Sequence, residues 1–189
     1  MDLILIPGFW LDASSWEGVA PVLEGASHRV RALTLPGLES KDADRSGIRL
    51  RDHVQEVIDA IDAIDEADGP VALVGHSAGG PIAYAAGDAR PDRVARIVYV
   101  DSGPLGEGGS VMDEPPDAKS ELPLPDWSDF GEEDLRDLDL NLRLAFRARA
   151  VPEPARVAYD KQALTDDRRL DVPATIIACE YSSDQLRQW

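Results

Sequence analysis

The sequence predicts an α/β fold, in which helices flank a mostly parallel β-sheet and a helical cap is inserted. Five short apolar runs, rich in valine, isoleucine and leucine, are typical of strands that are buried on both faces of a sheet. They span residues 3–6, 29–33, 71–74, 97–100 and 174–178. Segments with helical periodicity separate the first four runs, and strands that alternate with helices build parallel sheets.

Three helices are predicted between these strands. Ser14 and Glu17 have the spacing of a capping box, which predicts the start of the first helix. The third helix follows residue 77 directly, and Pro81 is tolerated there because it falls in the first turn. The second and longest helix is marked by apolar residues at helical spacing, namely Leu50, Val54, Val57, Ile58, Ile61 and Ile64.

The strand pattern disappears between residues 102 and 171. The segment 103–126 is rich in glycine, proline and acidic residues, which predicts a loop. One helix is expected to follow it, and another to begin after Pro154, since proline suits the first helical position. The former helix is indicated by Leu135, Leu138, Leu142 and Phe146. We therefore predict one domain over residues 1–189, with a core of 1–101 and 172–189 and a mainly helical cap of 102–171.

Composition narrows the classes of partner. The chain has 189 residues, enough to bury a substantial core, and a net charge of −17. Such a charge repels phosphate backbones and anionic membranes, so we expect neither nucleic acid nor a membrane as partner. Cys179 is the only cysteine, which excludes an internal disulfide and favours a reducing cytoplasm. Without a basic leader or a long apolar span, the sequence is typical of a soluble cytoplasmic protein.

The most informative motif is Gly75-His76-Ser77-Ala78-Gly79, a G-x-S-x-G pattern between the apolar run 71–74 and a stretch of small residues. A strand, a sharp turn and a helix hold such a serine in strained backbone geometry with its hydroxyl exposed. Gly75 and Gly79 lack a Cβ atom, so the strand and the helix can approach each other closely. Ser77 is therefore the candidate nucleophile, with a helix N-cap as its structural alternative.

Further residues accompany this motif: Pro7-Gly8-Phe9-Trp10 after the first strand, a helix start at 14–16, and a strand end at 98–101. In this combination the sequence resembles the α/β-hydrolase superfamily, especially its compact esterases and hydroxynitrile-lyase-like members. The resemblance covers almost the whole chain and implies an α/β-hydrolase fold with Ser77 as the nucleophile. It also implies an oxyanion hole made by the backbone N–H groups of Ala78 and Phe9, with Trp10 as the alternative to Phe9. Many members begin this loop with His-Gly, whereas this chain has Pro7-Gly8.

The acid of a catalytic triad has more than one candidate. Asp101 follows an apolar run at the carboxyl edge of the predicted sheet, where open α/β sheets bind ligands. Its alternative role is a strand-end aspartate that bonds to a loop. The resemblance also implies Glu180 or Asp184 as candidates, because many members carry the acid after the next strand. Glu180 is otherwise a solvated surface residue, and Asp184 otherwise supports the first turn of a helix.

None of the three histidines, His28, His53 and His76, is a good candidate for the base, and no histidine follows Ser77. We expect a structural role for each of them. The resemblance implies that a further strand, a Gly-His loop and a last helix are missing. The Ser182-x-x-Gln185 pattern predicts a helix start, so we expect the sequence to stop inside an element at Trp189, leaving an exposed sheet edge that favours self-association.

Two further expectations concern ligands. Trp10, Trp127 and Phe130 are candidate substrate-binding residues, although aromatic residues in an insertion also serve to anchor a cap. The sequence has no G-x-G-x-x-G or G-x-x-x-x-G-K-[ST] motif and no H-E-x-x-H motif, so no cofactor and no metal are expected.

Three functions remain open at this stage. The first is a serine esterase or acyl hydrolase that acts on a small carboxylic ester and is inactive or weak as this shortened chain. The second is a non-catalytic small-molecule-binding protein on the same scaffold. The third is a lyase, which would also need a histidine.

Overall fold

Five parallel strands form the central sheet in the computed structural model, which describes residues 1–115, 119–132 and 134–179. The strands of the chain, in order, are β1 (Asp2–Ile6), β2 (Arg29–Ala32), β3 (Val71–His76), β4 (Val94–Val100), β5 (Glu121–Leu122), β6 (Glu153–Pro154) and β7 (Ala174–Ile177). The order across the central sheet is β2-β1-β3-β4-β7, with every pairing parallel. The centre of the sheet is therefore β3, the strand that leads to Ser77.

The predicted α/β fold is confirmed, and all five predicted strands are present in this sheet. The largest difference is at β4, which begins at Val94 rather than at residue 97. Arg96 is a charged residue within this strand and interrupts the apolar run. Its side chain is exposed and donates a hydrogen bond from Nη1 to Thr175 Oγ1 at 2.7 Å. Because of this charged, exposed residue, the apolar pattern did not predict the first half of β4.

Helices cover both faces of the sheet. In chain order they are α1 (Ala20–Gly25), α2 (Leu50–Asp62), α3 (Gly79–Ala89), α4 (Leu140–Arg149) and α5 (Ala155–Tyr159). Alternate residues of β1 point to opposite faces. Ile4 and Ile6 join the large core under α2 and α3, whereas Leu3 and Leu5 join a smaller cluster with Trp16. The larger core thus lies on the face that also supports the helix after Ser77.

The first helix begins later than the sequence predicted, and Ser14 is not its cap. Asp12 accepts a hydrogen bond from the Ser14 N–H at 2.8 Å and caps a 3-10 turn at Ala13–Trp16. The α-helix itself starts at Ala20, where Pro21 occupies the first turn. Proline has no N–H to lose there, so it favours a helix start at that position.

The segment between β4 and β7 contains α4, α5 and a two-stranded antiparallel ribbon of β5 and β6, joined by loops and turns. The helix after Pro154 is present as α5, but the sequence did not predict the ribbon. Its strands have two residues each, too few to show a periodicity. Leu140, Leu142 and Leu144 of α4 are exposed among the described residues, so this helix buries little of its apolar surface. Over the part of the chain that the structure describes, no helix has the length and apolar character needed to cross a membrane.

Candidate active site

Ser77 lies in the turn between β3 and α3, at the carboxyl edge of the central strand. Its backbone φ is 49°, in the left-handed region that L-residues rarely adopt. The residue is exposed. A strained, exposed serine at this position is the geometry that the G-x-S-x-G motif predicts.

Two glycines allow this turn to form. A Cβ atom on Gly75 would lie 2.5 Å from the carbonyl oxygen of Gly79. A Cβ atom on Gly79 would lie 2.6 Å from the carbonyl oxygens of Ile6 and Pro7. These distances are far inside van der Waals contact, so any other residue would push α3 away from β1 and β3.

Hydrogen bonds fix the backbone of Ser77 on both sides. Its N–H donates to Val100 O at 3.1 Å, and its carbonyl oxygen accepts from Gly80 N at 3.0 Å. The buried Ser102 donates a third bond from Oγ to the same carbonyl oxygen at 2.5 Å. Sequence reasoning missed Ser102, because a single serine in a loop carries no pattern.

The loop after β1 packs directly against Ser77. A Cβ atom on Gly8 would lie 2.9 Å from Ser77 Cβ, so this loop could not come as close with any other residue. The backbone N–H groups of Phe9 and Ala78 donate no hydrogen bond within the described part of the chain. The Trp10 N–H, in contrast, donates to Glu153 Oε2 at 3.2 Å. Trp10 is thereby disfavoured as the oxyanion donor, and Phe9 remains the candidate.

Asp101 follows β4 at the same edge of the sheet, in the strand next to that of Ser77. Its φ of 46° is also left-handed, and its N–H donates to Ile177 O at 2.8 Å. Its Oδ1 accepts from the Cys179 N–H at 2.9 Å, so it contacts the backbone just past β7. Within the described residues, the carboxylate has no hydrogen bond to Ser77. The other candidates for the acid, Glu180 and Asp184, lie outside the described residues.

The histidines occupy three different environments. His28 precedes β2 at the amino edge of the sheet, opposite Ser77. His53 is fully buried in α2, with Nε2 at 2.8 Å from Pro36 O. The His76 ring stands edge-on to Trp16 at 6.5 Å between centroids; burial lowers its pKa, and the charge of Asp101 raises it. No histidine hydrogen-bonds to Ser77 among the described residues.

An apolar cavity of about 340 Å³ opens beside this edge of the sheet. His76, Trp16 and Val100 form its sheet side, and Leu142 and Phe146 of α4 form the opposite side. Its lining is mostly aliphatic and aromatic, which suits an apolar group of a small molecule.

Aromatic side chains form a row from the loop after β1 to α4. Ring centroids are 5.8 Å apart for Phe9 and Trp10, 6.4 Å for Trp10 and Phe130, and 5.5 Å for Phe130 and Trp127. The Trp127 ring lies 5.8 Å from that of Phe146. The structure therefore brings together the three predicted substrate-binding residues, Trp10, Trp127 and Phe130. Their contact with a substrate stays a prediction.

A buried polar group behind this loop was not predicted from the sequence. The Glu153 side chain is 1% exposed, and its Oε1 lies 3.8 Å from Nδ1 of the fully buried His53. Burial raises the pKa of Glu153 to about 8 and lowers the pKa of His53 to about 4. Both groups are held neutral near pH 6, because burial in a low-dielectric interior disfavours charge. An isolated glutamate in an acidic sequence offers no signal that would separate it from a surface residue.

Comparison with known proteins agrees with this geometry. Residues 3–189 match the profile of the Alpha/beta hydrolase family. A carbendazim-hydrolyzing esterase of Nocardioides sp. (strain SG-4G) is 32% identical over 113 residues, which cover 59% of this chain and 46% of the esterase. A pyrethroid hydrolase of Sphingobium wenxiniae is 30% identical over 99 residues, which cover 52% and 35% of the two chains. The chain thus spans less than half the length of these relatives.

A solved structure is also similar over most of the chain. It is an extracellular α/β-hydrolase from a Paenibacillus species, described as sharing structural and functional homology with tobacco salicylic acid binding protein 2. The TM-score is 0.76 at 25% identity, with 93% of this chain and 76% of the other covered. The sheet order, the strained serine and the family profile together lead to one assignment. The chain belongs to the α/β-hydrolase family.

Proposed function

We propose that the fold serves the hydrolysis of a small carboxylic ester, with Ser77 as the nucleophile. The observation that carries the proposal is the exposed Ser77 with a φ of 49°, placed against a loop whose Phe9 N–H has no hydrogen-bond partner within the described part of the chain. In the proposed reaction Ser77 Oγ attacks the ester carbonyl carbon, and the N–H groups of Phe9 and Ala78 stabilise the oxyanion. The alcohol leaves, and water then releases the acid from the acyl-serine.

The proton of Ser77 needs an acceptor in this scheme. No histidine follows Ser77 in the sequence, and among the described residues none of the three histidines hydrogen-bonds to Ser77. In the 189-residue chain the proton therefore passes to water, which makes Ser77 a poor nucleophile. We propose Asp101 as the acid that would orient a base, with Glu180 as the alternative. We therefore expect residues 1–189 by themselves to be weak in the assay below.

The substrate class is supported by the apolar surfaces around Ser77. The aromatic row from Phe9 to Phe146 and the neighbouring cavity favour an ester with an aromatic or other apolar group. The similar esterase and pyrethroid hydrolase are named for compounds that they hydrolyse, which agrees with hydrolysis of a small organic molecule. The second candidate function is a binding protein that uses the same pocket without turnover.

Replacement of Ser77 tests the proposal. We expect slow release of 4-nitrophenol from 4-nitrophenyl acetate by the chain, and a fall to the uncatalysed rate in Ser77→Ala. A fluorophosphonate probe should label Ser77 in the unaltered chain, which mass spectrometry of peptides detects. Ser46→Ala, in an exposed turn remote from the site, is the matched control and should behave as the unaltered protein.

An unchanged rate in Ser77→Ala together with no labelling would contradict the esterase proposal. Saturable binding of the ester without turnover, measured by calorimetry, would then favour the binding protein. Two expectations from the sequence remain as proposals here, namely a cytoplasmic location and self-association. Size-exclusion chromatography coupled to light scattering measures the latter directly.

A further inference from the structure

Trp10, in the loop beside Ser77, is held by the inserted segment at three points. Its backbone N–H donates to Glu153 Oε2 at 3.2 Å, and its carbonyl oxygen accepts from Val151 N at 2.9 Å. Its indole Nε1–H donates to Leu122 O at 2.9 Å. Leu122 and Glu153 pair with each other in the ribbon of β5 and β6, so one small structural unit holds both the backbone and the side chain. We call these contacts the Trp10 clamp.

The backbone that the clamp holds is strained. Trp10 has a φ of 65°, a left-handed conformation that a bulky residue keeps only where surrounding contacts impose it. Glu153 is itself expensive to bury, because a carboxyl loses hydration that only hydrogen bonds can replace. Packing of the hydrophobic core does not by itself require a strained tryptophan or a hydrogen bond from it to a buried carboxyl.

The surroundings of Glu153 explain how its two oxygens differ. His53 Nε2 lies 2.8 Å from Pro36 O, which places the ring proton on Nε2 and leaves the lone pair of Nδ1 facing Glu153 Oε1. Glu153 Oε1 thus faces His53 at 3.8 Å, beyond hydrogen-bond distance, whereas Oε2 accepts the hydrogen bond of the Trp10 N–H. Arg45 is also buried; its guanidinium binds loop carbonyls, including Ala43 O at 2.8 Å, and contacts Glu121 at 3.6 Å.

The clamp determines what the neighbouring peptide offers to a substrate. Because the Trp10 N–H donates to Glu153, it is already occupied, whereas the Phe9 N–H has no partner among the described residues. Gly8 fixes the other end of the loop against Ser77. We propose that Glu153 is a positioning residue of the oxyanion hole, which orients the Phe9 N–H toward Ser77 by accepting the hydrogen bond of the Trp10 N–H. The inference rests on the proposed esterase function.

Two variants separate positioning from simple packing. Glu153→Gln keeps an acceptor oxygen for the Trp10 N–H, whereas Glu153→Met keeps the length and volume but offers no such acceptor. Glu121→Gln is the control, because it removes a carboxylate from the same ribbon without touching Trp10. All four proteins are first compared by thermal unfolding, so that a general loss of structure is recognised.

The first readout needs no activity. Amide hydrogen exchange by NMR should show a protected Trp10 N–H in the unaltered protein, and its ¹⁵N shift should follow the titration of Glu153. Protection should fall by about tenfold or more in Glu153→Met, because tenfold corresponds to loss of about 1.4 kcal/mol of hydrogen-bond stabilisation. Protection should persist in Glu153→Gln and Glu121→Gln. The pH response of the shift should disappear in both Glu153 variants and persist in Glu121→Gln.

The second readout is hydrolysis of 4-nitrophenyl acetate. A displaced oxyanion donor lowers kcat with little effect on KM, and losing one donor completely costs about 10²–10³-fold. We therefore expect kcat to fall at least tenfold in Glu153→Met and to be restored within about threefold in Glu153→Gln.

Failure of the proposal for Glu153 and failure of the esterase proposal give different results. A Trp10 N–H that exchanges freely in the unaltered protein would overturn the clamp, whatever the activity. Equal kcat values for folded Glu153→Met and the unaltered chain would overturn the positioning role of Glu153, provided that hydrolysis depends on Ser77. If Ser77→Ala leaves the rate unchanged, the esterase proposal fails, and the exchange data alone decide whether Glu153 holds Trp10.

Discussion

At the scale of single residues, Ser77 occupies a backbone conformation that its side chain disfavours. A φ of 49° costs an L-residue about 1–2 kcal/mol, which glycine avoids. Glycine in turn loses about 0.4–1 kcal/mol through the greater freedom of the unfolded chain. We expect Ser77→Gly to raise the free energy of unfolding by about 0.5–1 kcal/mol, measured by urea denaturation.

Ser77→Ala serves as its control, since alanine has a Cβ atom and keeps the strain. Its unfolding free energy should stay within about 0.5 kcal/mol of the unaltered chain, as for most exposed positions. A destabilised Ser77→Gly protein would show that the turn is not strained. If Ser77→Gly is more stable than the unaltered chain but inactive, the reactive backbone geometry of Ser77 lowers the stability of the protein.

The residues around Ser77 divide into those that sequence could predict and those that it could not. Ser77 and Ala78 lie within one short motif whose spacing carries its own geometry. Ser102 and Glu153 reach the site through tertiary contacts, at 25 and 143 residues from their partners. A polar residue that acts across such a separation leaves no local pattern, so the sequence did not indicate either one.

At the scale of elements, Asp88 joins α3 to the segment that leads into β7. It is 4% exposed and accepts hydrogen bonds from the N–H groups of Thr165 and Asp166, both at 2.9 Å. Asp88→Ala removes both acceptors and the contact with Arg169. We expect the free energy of unfolding to fall by about 2 kcal/mol, since each lost bond costs about 0.5–1.5 kcal/mol and the donors stay partly hydrated.

Asp92→Ala, in the 3-10 turn that follows α3, provides the comparison. Asp92 pairs with Arg168 at 2.7 Å, but both side chains are largely exposed. Such a pair contributes about 0–1 kcal/mol, so this variant should unfold close to the unaltered chain. Equal losses in the two variants would contradict the role given to Asp88.

Element prediction succeeded where burial imposed a repeated pattern. Strands β1 and β3 are buried almost throughout, and α2 shows an apolar face over 13 residues. The edge strands β2 and β7 are only partly buried, but each keeps a short apolar run. It failed at the first helix and at the ribbon of β5 and β6. There, single side chains such as Asp12 and Glu153 decide the local structure, and no period extends over them.

At the scale of the whole molecule, stability should depend on pH through the buried pair Glu153 and His53. Glu153 binds its proton more tightly when folded, with a pKa of about 8. Its contribution is therefore complete below the pKa of an unfolded glutamate, about 4.3, and is lost as pH rises through 8. His53 has a folded pKa of about 4, so its contribution is present above about 6.5 and is lost as pH falls through 4.

Between about pH 4.3 and 6.5, the contribution of Glu153 to stability falls with rising pH while that of His53 grows. The maximum of stability therefore lies in that window. We expect the unfolding temperature to decline from pH 6.5 to 8, as measured by calorimetry in buffers of equal ionic strength. Glu153→Gln should remove this decline, whereas Glu121→Gln should keep it. A decline of the same size in Glu153→Gln would mean that other groups cause it.

The Trp10 clamp can form only late in the synthesis of the chain. Residue 10 is made early, but its partners at 122, 151 and 153 follow up to 143 residues later. At about 5–20 residues per second, synthesis reaches them after on the order of ten seconds. Contacts between such distant residues form slowly, because a long loop must close before they contribute any stabilisation. During that interval the Ser77 turn can already exist while the loop beside it is still free to move. The nascent chain thus gains a shaped pocket only after most of its sheet has been made.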